Sequence, residues 1–330
     1  MHKVLKQYFT FQFGTQTYFQ SHYVYRVEDG WAIVCLANEL DEDTIMEQHV
    51  ISNYLVEQGY RHIAVPVFTN NDTFIFPIDQ QNTGYLCHVK QRYNGKQSHL
   101  AHFLSSFHTV GQQYPYSPIF LSRYGQWKEN WSHITDHMDV VKNILMERDA
   151  ITKWERTWIE SSFYFIGIAE NAIQYLQETE SNHQFNQYDQ PVFTTDRISP
   201  YPNQHFLLPY RLVHDHPTRD LAEFIRHIFL TRGRKGLSTV GQFLKTYEQF
   251  RPISSFGWRL LYARLLFPIH VVDYSKKILS MERIGDYEHE QLKSWIDYQT
   301  EYEYCLRTLF EEISSRMKDD TVPAVEWLAK

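Results

Sequence analysis

The most distinctive group of chemically active side chains in the sequence is the run His214-Asp215-His216. The residues from Tyr210 to His214 are typical of a β-strand, in which alternate side chains point to the same side. His214 and His216 would therefore share one face, and two neutral imidazoles beside the Asp215 carboxylate could bind zinc. No third histidine converges on this pair in the sequence, so we expect no metal site. The alternative interpretation is a polar strand end that leads into a helix with Asp220 at its start.

Most catalytic motifs are absent from the sequence. There is no Gly-x-Gly-x-x-Gly, no Gly-x-x-x-x-Gly-Lys-Ser/Thr, no His-Glu-x-x-His, no Gly-x-Ser-x-Gly and no Cys-x-x-Cys. Asn94-Gly95-Lys96 has no upstream glycine at the spacing of a phosphate-binding loop, so we interpret it as a turn. His137-Met138-Asp139 is a literal His-x-Asp, but it falls inside a predicted helix and is interpreted as a chance match.

The composition is that of a folded protein with an acidic balance of charge. Hydrophobic residues make up 43% and charged residues 22% of the 330 residues, which excludes a disordered chain. The formal net charge is -7, so neither nucleic acid nor an anionic membrane is expected as a partner. Aromatic residues reach 16%, including 23 tyrosines. Two interpretations of this surplus remain open: aromatic filling of the core, or a surface that binds other proteins, because tyrosine is enriched at interfaces.

Cysteine usage and hydropathy favour synthesis in the cytoplasm. Cys35, Cys87 and Cys305 are far apart along the chain, which predicts neither a disulfide framework nor a metal site. The first residues contain no apolar segment of signal-peptide type. The most apolar later segment, Leu260 to Val272, contains Arg264 and is too short and too charged to span a bilayer. We therefore expect a protein that folds in the cytoplasm and has no membrane span.

The first third of the sequence is typical of a β-sheet. Tyr23 to Val27 and Trp31 to Ala37 are strand-like, and Glu28-Asp29-Gly30 between them predicts a hairpin. Two further strands are predicted at Thr73 to Pro77 and at Gly84 to Lys90.

One helix is predicted between these strands. Asp41 or Asp43 can cap its start and Gly59 can end it. Its buried face is predicted from apolar residues at helical spacing, namely Met46, Val50, Ile51, Tyr54 and Leu55.

The remainder of the sequence is mostly typical of helices. The predicted helices are residues 98–113, Trp158 to Leu176, and several from Arg219 to about Met317. Short strands interrupt them at Val192 to Thr194 and in a predicted pair, Phe206 to Leu208 with Tyr210 to His214.

These elements predict the fold class α+β with two lobes. Residues 1–94 would form a small sheet-plus-helix lobe, and residues 95–330 a large, mostly helical lobe. The join is expected near Tyr93-Asn94-Gly95.

The layout and four segments resemble the aminoglycoside phosphotransferase and choline kinase branch of the bilobal protein-kinase-like fold. These segments are Tyr23 to Gly59, the helix Leu100 to Gln113 with His108, the run Asp215 to Arg226, and Trp258 to Tyr274. Within that branch the chain is most similar to the CotS-type, YutH-like spore coat proteins. In the kinase relatives a strand that ends in an acidic metal ligand leads to a helix beginning Asp-Leu-Ala. Asp215 and Asp220-Leu221-Ala222 match that pattern.

The sequence departs from the kinase pattern where phosphates would bind. Phosphoryl transfer in kinases uses a glycine-rich cover, a lysine on the nucleotide phosphates, an aspartate for the substrate hydroxyl, and Mg²⁺ ligands. Residues 15–29 contain no glycine, and Trp31 to Asn38, where the resemblance places the lysine, contains no basic residue. Glu47, the expected helix partner of that lysine, would be an orphan or an ordinary solvated acid. Lys90 and Lys96 are the nearest substitutes for the lysine.

The catalytic loop implied by the resemblance is also altered. Active relatives have His-x-Asp followed five residues later by Asn, and the corresponding run here is Thr194-Thr195-Asp196. Tyr201 stands at the Asn position, Asn203 comes two residues late, and Pro200 and Pro202 impose a different backbone. Asp196 could remain as a base, but we expect a structural residue.

The sequence therefore predicts a non-catalytic, kinase-like protein that is a structural or assembly component of the bacterial spore coat. The resemblance implies synthesis in the mother cell, deposition in the coat, and other spore coat proteins as partners. We expect no catalytic residue, cofactor or metal, with Asp196, Asp215 and Asp220 as remnant candidates. Two alternatives remain: an active small-molecule or protein phosphotransferase that uses Mg-ATP with rearranged residues, and a pseudokinase that binds a nucleotide without turnover.

Overall fold

The computed structural model describes residues 1–19, 21–92, 100–182, 185–197, 206–281 and 283–316. The chain divides into two compact units. The first contains Met1–Arg123 with Pro191–Pro217, and the second contains Tyr124–Gln190 with Thr218–Lys330. The join predicted at Tyr93-Asn94-Gly95 lies outside the described residues, so the boundary between residues 94 and 95 stays a prediction.

The first unit is built on an antiparallel β-sheet. Its strands are β1 (Gln16–Phe19), β2 (His22–Val27), β3 (Gly30–Leu36), β4 (Val65–Val67), β5 (Phe76–Pro77) and β6 (Thr83–Val89). In the described part of the chain their order is β1-β2-β3-β6-β4, and β5 also pairs with β6. The helices of this unit are α1 (His2–Tyr8), α2 (Glu42–Glu57) and α3 (Leu100–Gln112). The predicted sheet-plus-helix arrangement is confirmed, but β1, β4 and α1 were not predicted.

The hairpin between β2 and β3 is confirmed. Val27 pairs with Gly30, so Glu28 and Asp29 form a two-residue turn. Gly30 has a φ angle of 119°, which only glycine adopts readily. A Cβ atom on Gly30 would lie 2.1 Å from the backbone oxygen of Val89. The glycine therefore permits both the turn and the close approach of β6.

Helix α2 begins and ends as its sequence predicts. The Asp41 carboxylate accepts a hydrogen bond from the backbone N–H of Thr44 at 2.7 Å, which satisfies one free donor of the first turn. Gly59, with φ at 99°, follows the end of the helix and permits the left-handed conformation common there.

The buried face of α2 agrees with the predicted one at Ile51 and Leu55 but differs from it at Met46 and Val50. Ile45, Ile51 and Leu55 are fully buried, whereas Met46 and Val50 are 41% and 42% exposed. Ile45 packs with the sheet residues of one core cluster. The sequence of α2 contains two overlapping apolar stripes, and only contact with the sheet decides which one is buried.

A second, two-stranded sheet in the first unit consists of β7 (Val192–Thr195) and β8 (Leu212–Asp215). It confirms the predicted strand at residues 192–194. The predicted pairing of residues 206–208 with residues 210–214 is wrong. Leu207 instead forms a parallel bridge with Ile63, and a 3-10 turn at Pro209–Arg211 separates the two segments.

The described part of the second unit is helical. Its helices are α4 (Trp127–Met146), α5 (Lys153–Asn182), α6 (Thr218–Arg232), α7 (Leu237–Glu248), α8 (Ser255–Leu266), α9 (Ile269–Leu279) and α10 (Asp286–Arg316). The predicted helical face of α5 is confirmed by the burial of Phe165, Ile168, Ala169, Ala172 and Leu176. Within the described ranges, no helix has the length and apolar character needed to cross a membrane.

Candidate functional site

The run His214-Asp215-His216 lies in the interior at the end of β8. Asp215 is fully buried, pairs with Val192 of β7, and accepts a hydrogen bond from the backbone N–H of His216 at 2.6 Å. His214 and His216 are also buried. Among the residues that the structure describes, no three His, Cys, Asp or Glu side chains form a group that could hold a metal ion.

Glu47 of α2 is bonded to backbone amides rather than to a lysine. Its carboxylate accepts hydrogen bonds from the N–H groups of Ile119 at 2.5 Å, Phe120 at 2.9 Å and Leu121 at 2.7 Å. In kinases the glutamate of the corresponding helix pairs with the lysine of the third strand. Here three neutral donors of one loop take the place of that ion pair.

The loop held by Glu47 continues alongside β8. The backbone N–H of His214 donates to the oxygen of Leu121 at 2.9 Å, and the N–H of Arg123 donates to the oxygen of His214 at 2.8 Å. Burial lowers the pKa of His214, and the carboxylates of Asp215 and Glu47 oppose this shift. Glu47, residues 119–123 and β8 are therefore connected by hydrogen bonds, and both acids lie near the His214 imidazole.

The segment that would carry the kinase lysine is apolar. Cys35 lies in the middle of this part of β3 and is buried with Tyr85 and Cys87 in one core cluster. Burial and the neighbouring Cys35 thiol raise the pKa of Cys87. Lys90, a proposed substitute, lies 3.9 Å from Asp29 at the surface. Lys96 lies outside the described residues.

The turn between β1 and β2 is too short to arch over phosphates. Phe19 pairs with His22, so only two residues separate the strands. Ser21 in this turn has a φ angle of 70°. A glycine-rich loop of the kinase type is six residues long and offers several backbone amides to the phosphates, whereas two residues connect β1 and β2.

The sheet face next to that turn is covered by the segment that precedes β8. The ring of Phe206 lies 5.6 Å from the ring of Phe19 and 5.5 Å from that of Trp31, measured between centroids. Leu208 is fully buried in the same cluster as Ile33. An aromatic side chain of the protein itself therefore packs where β1, β2 and β3 would otherwise present a free surface.

Backbone and side-chain hydrogen bonds hold this covering segment. Leu207 donates its N–H to the oxygen of His62 at 3.0 Å, and its oxygen accepts from the N–H of Ala64 at 2.9 Å. Farther along, the hydroxyl of Tyr210 is 3.0 Å from Nε2 of His22, whose Nδ1 is 3.1 Å from the oxygen of Val34. The covering segment is therefore held at Leu207 by the backbone of residues 62–64 and at Tyr210 by His22 of β2.

The remaining candidates lie in different surroundings. Asp196 directly follows β7, is about half exposed, and its carboxylate is 3.6 Å from Arg197. The residues compared with the kinase asparagine, Tyr201 and Asn203, lie outside the described residues, as do Pro200 and Pro202. Asp220 is fully buried in the first turn of α6, in the second unit.

The residues that the structure describes differ from the arrangement by which kinases hold Mg-nucleotide. That arrangement needs a lysine paired with the helix glutamate and open space under a glycine-rich cover. Here Glu47 is bonded to a loop and the Phe206 ring covers the sheet. Asp215 lies at the end of β8, where the predicted resemblance places an acidic metal ligand.

The family is decided by comparison of the whole sequence. The family model described as "Spore coat putative kinase YutH" matches residues 2–309. The chain belongs to this YutH family. One relative is the endospore coat-associated protein YutH of Bacillus subtilis (strain 168). Its sequence is 31% identical to this chain over 318 residues. The alignment covers 95% of this chain and 93% of the relative, so the resemblance inferred from the sequence is confirmed.

Solved structures of kinases have the same fold as this YutH-family chain. An aminoglycoside phosphotransferase from Alicyclobacillus acidocaldarius subsp. acidocaldarius DSM 446 has a TM-score of 0.65 at 11% identity, with 96% of both chains covered. The amicoumacin kinase hAmiN, in complex with AMP-PNP, Ca2+ and Ami, has a TM-score of 0.59 at 12% identity, covering 92% of this chain and 93% of hAmiN. At this identity the likeness shows the fold alone, and it confirms the predicted aminoglycoside phosphotransferase-like class.

Two features of the site in this YutH-family chain were missed from the sequence. The partners of Glu47 are amides of residues 119–121, whose side chains give no signal of that role. Phe206 was recognised as strand-like, but its packing on Trp31 depends on the course of the chain after β7. The glutamate itself and the missing lysine were the signals that pointed to an altered site.

Proposed function

We propose that this YutH-family chain is a non-catalytic, kinase-like protein that acts as a structural or assembly component of the bacterial spore coat. The observation that carries the proposal is the Phe206 ring packed on Phe19 and Trp31. A nucleotide bound as in kinases would lie under the β1–β2 turn and beside β3, where this ring lies. Moving the ring away would expose apolar surface at about 25 cal/mol per Å², so the filled face is the stable one.

The surroundings of Glu47 support the same conclusion. Hydrogen bonds to charged groups are worth about 1.5–3 kcal/mol each, and Glu47 has three from residues 119–121. A lysine is therefore not needed to hold this carboxylate. Loss of one electrostatic contributor typically costs a few kcal/mol of transition-state stabilisation, and this chain lacks the lysine and the glycine-rich cover together.

The coat role is supported by the relative in Bacillus subtilis, which is described as coat-associated. By this proposal the chain is deposited in the coat and its partners are other coat proteins. Several tyrosines are strongly exposed and suit such contacts, because tyrosine combines apolar area with a hydrogen-bonding group. They include Tyr18, Tyr116 and Tyr287, at 67%, 69% and 72% exposure.

A thermal melt with and without excess Mg-ATP tests the nucleotide part of the proposal. A ligand at a hundred times its dissociation constant adds about 2.7 kcal/mol, which raises the midpoint by several degrees. We expect no shift at millimolar Mg-ATP, while an active aminoglycoside phosphotransferase shifts under the same conditions. A clear rise would contradict the filled site and favour a pseudokinase that binds a nucleotide.

A substitution at Asp196 separates the structural role from an active phosphotransferase. This residue would be the catalytic base of the alternative, and it is exposed enough for Asp196→Asn to leave folding intact. We expect normal coat deposition of the variant in sporulating cells, measured in extracted coat fractions. Coat defects in Asp196→Asn with an unchanged melting midpoint would favour the active enzyme, with Asp215 as the Mg²⁺ ligand.

A further inference from the structure

The two edges of the sheet in the first unit are protected to different extents. At one edge, β4 contains Pro66, whose oxygen lies 2.7 Å from Nδ1 of His49 on α2. Proline and a covering helix are common ways to keep a sheet edge from pairing with another chain. At the opposite edge is β1, and among the described residues only β2 pairs with it.

Within the described ranges, no strand pairs with the backbone groups on the outer edge of β1. The N–H of Arg26 donates to the oxygen of Thr15 at 3.0 Å, so Arg26 faces β1. Because facing alternates along a strand, Thr17 and Phe19 face their partners in β2, while Gln16 and Tyr18 direct their N–H and C=O groups outward. Gln16, Thr17 and Tyr18 are all exposed.

The sequence around β1 lacks the usual protection of an edge strand. Residues 7–25 contain no Asp, Glu, Lys, Arg or Pro, although the chain as a whole has a net charge of -7. Natural edge strands commonly avoid pairing by means of charges or prolines, and this segment has neither. A second copy of this strand would therefore meet no charge repulsion at β1.

We propose that β1 pairs antiparallel with β1 of a second copy of this chain, about a two-fold axis at Thr17. In this register Gln16 of each copy lies opposite Tyr18 of the other, so every outward N–H and C=O of these two residues finds a partner. Moving the axis to Gln16 would place Tyr18 opposite Gly14, whose N–H already donates to the oxygen of Arg26 at 2.8 Å. The pairing makes one continuous sheet from two copies.

The side chains fit this pairing. Tyr18 already packs against Tyr23 with ring centroids 5.6 Å apart, on the face that also carries Gln16. Across the new edge, Gln16 and Tyr18 of different copies would be directly opposite, which makes the two Tyr18 side chains diagonal neighbours within reach of each other. Strands of four residues bury little area, so the pairing is weak in dilute solution and grows with concentration.

Disulfide trapping tests the proposed register. In it the two copies of Thr17 are a directly opposed, non-hydrogen-bonded pair, with Cα atoms about 4.5 Å apart, which a disulfide can bridge. Thr17→Cys should therefore form a disulfide-linked dimer under mild oxidation at high protein concentration. Leu36→Cys is the matched control, because Leu36 is 60% exposed on the same sheet but distant from β1 in strand order. The native cysteines are all buried.

A second substitution tests whether the backbone of β1 makes the contact. Tyr18→Pro in the Thr17→Cys chain removes an outward N–H without removing a bond to β2, and Tyr18→Lys places a charge on the edge. We expect several-fold more dimer for Thr17→Cys than for Leu36→Cys, and a return to the control level with either change at Tyr18. Equal dimer yields at Thr17 and Leu36, or no effect of both Tyr18 changes, would overturn the proposal. The inference does not depend on the proposed function, since these measurements involve no nucleotide.

Discussion

The backbone N–H of Leu121 donates a hydrogen bond to the Glu47 carboxylate at 2.7 Å, and the oxygen of Leu121 accepts one from the N–H of His214 at 2.9 Å. One residue of a loop therefore joins α2 to β8. In a kinase the same glutamate depends on a lysine and a bound nucleotide for its position. Here three backbone amides hold the Glu47 carboxylate, and neither a lysine nor a nucleotide is needed for its position.

Removal of the Glu47 carboxylate should destabilise the first unit. Glu47→Ala leaves three amides without their acceptor, and we expect a loss of about 2 kcal/mol in the free energy of unfolding, measured by urea denaturation. Glu57→Ala at the exposed end of the same helix is the control and should change stability by less than about 0.5 kcal/mol. Equal losses in the two variants would show that the loop contacts contribute nothing.

Truncation of Phe206 should open a cavity on the sheet. Phe206 is 4% exposed, and replacement of a buried phenylalanine by alanine typically costs about 3–5 kcal/mol. Tyr116→Ala, at a ring that is 69% exposed, should be close to neutral in the same chemical denaturation experiment. If Phe206→Ala also proved neutral, the ring would not be part of the folded core, and the filled-site proposal would lose its main support.

Stability should fall in mild acid because of His270. Its ring packs 5.5 Å from Trp295 and 5.3 Å from Tyr302, and burial, with Arg226 adding to the effect, lowers its pKa to about 3. The folded state thus keeps the imidazole neutral, while the unfolded chain binds a proton below its ordinary pKa of 6.5.

The contribution of neutral His270 is therefore complete above pH 6.5 and declines as the pH falls toward 3. The slope from one such group is at most about 1.4 kcal/mol per pH unit. His270→Phe retains an aromatic ring and should flatten the dependence of the unfolding free energy on pH between about 6.5 and 4. An unchanged slope would count against this histidine as the cause.

Two glycines should respond oppositely to alanine. Gly30→Ala would place a Cβ atom 2.1 Å from a backbone oxygen at a φ angle of 119°, and we expect a loss of at least about 2 kcal/mol. Gly167 lies within α5, and apart from the adjacent backbone of the helix itself no atom lies within 4 Å of the position that a Cβ atom would take there. Gly167→Ala should therefore gain up to about 1 kcal/mol through helix propensity. Thermal melts of both variants test the pair, and a stabilising Gly30→Ala would contradict the close approach of β6.

Local chemistry made part of this fold predictable. The Asp-Gly turn fixed the β2–β3 hairpin, and Asp41 and Gly59 fixed the ends of α2, because each of these residues acts within a few positions of itself. The absence of a lysine in β3 was also plain from the sequence.

Features that depend on distant contacts were not predictable. The burial of Ile45 in place of Met46 is decided by which side of α2 meets the sheet. The amides that hold Glu47 belong to residues 72 to 74 positions away, and every residue type except proline has such an amide. The position of the Phe206 ring likewise depends on the bridge between the next residue, Leu207, and Ile63, which is distant in sequence.

The two sides of the contact between the Glu47 carboxylate and the loop amides tolerate mutation to different extents. The donors belong to the main chain, so the codons for residues 119 and 120 can change without loss of the contact, provided that neither encodes proline, whereas Leu121 is also a buried core residue. Ile119 and Phe120 are 77% and 39% exposed, so their side chains impose little further restriction. Conservation of this contact among related sequences therefore depends mainly on two codons, those of Glu47 and Leu121.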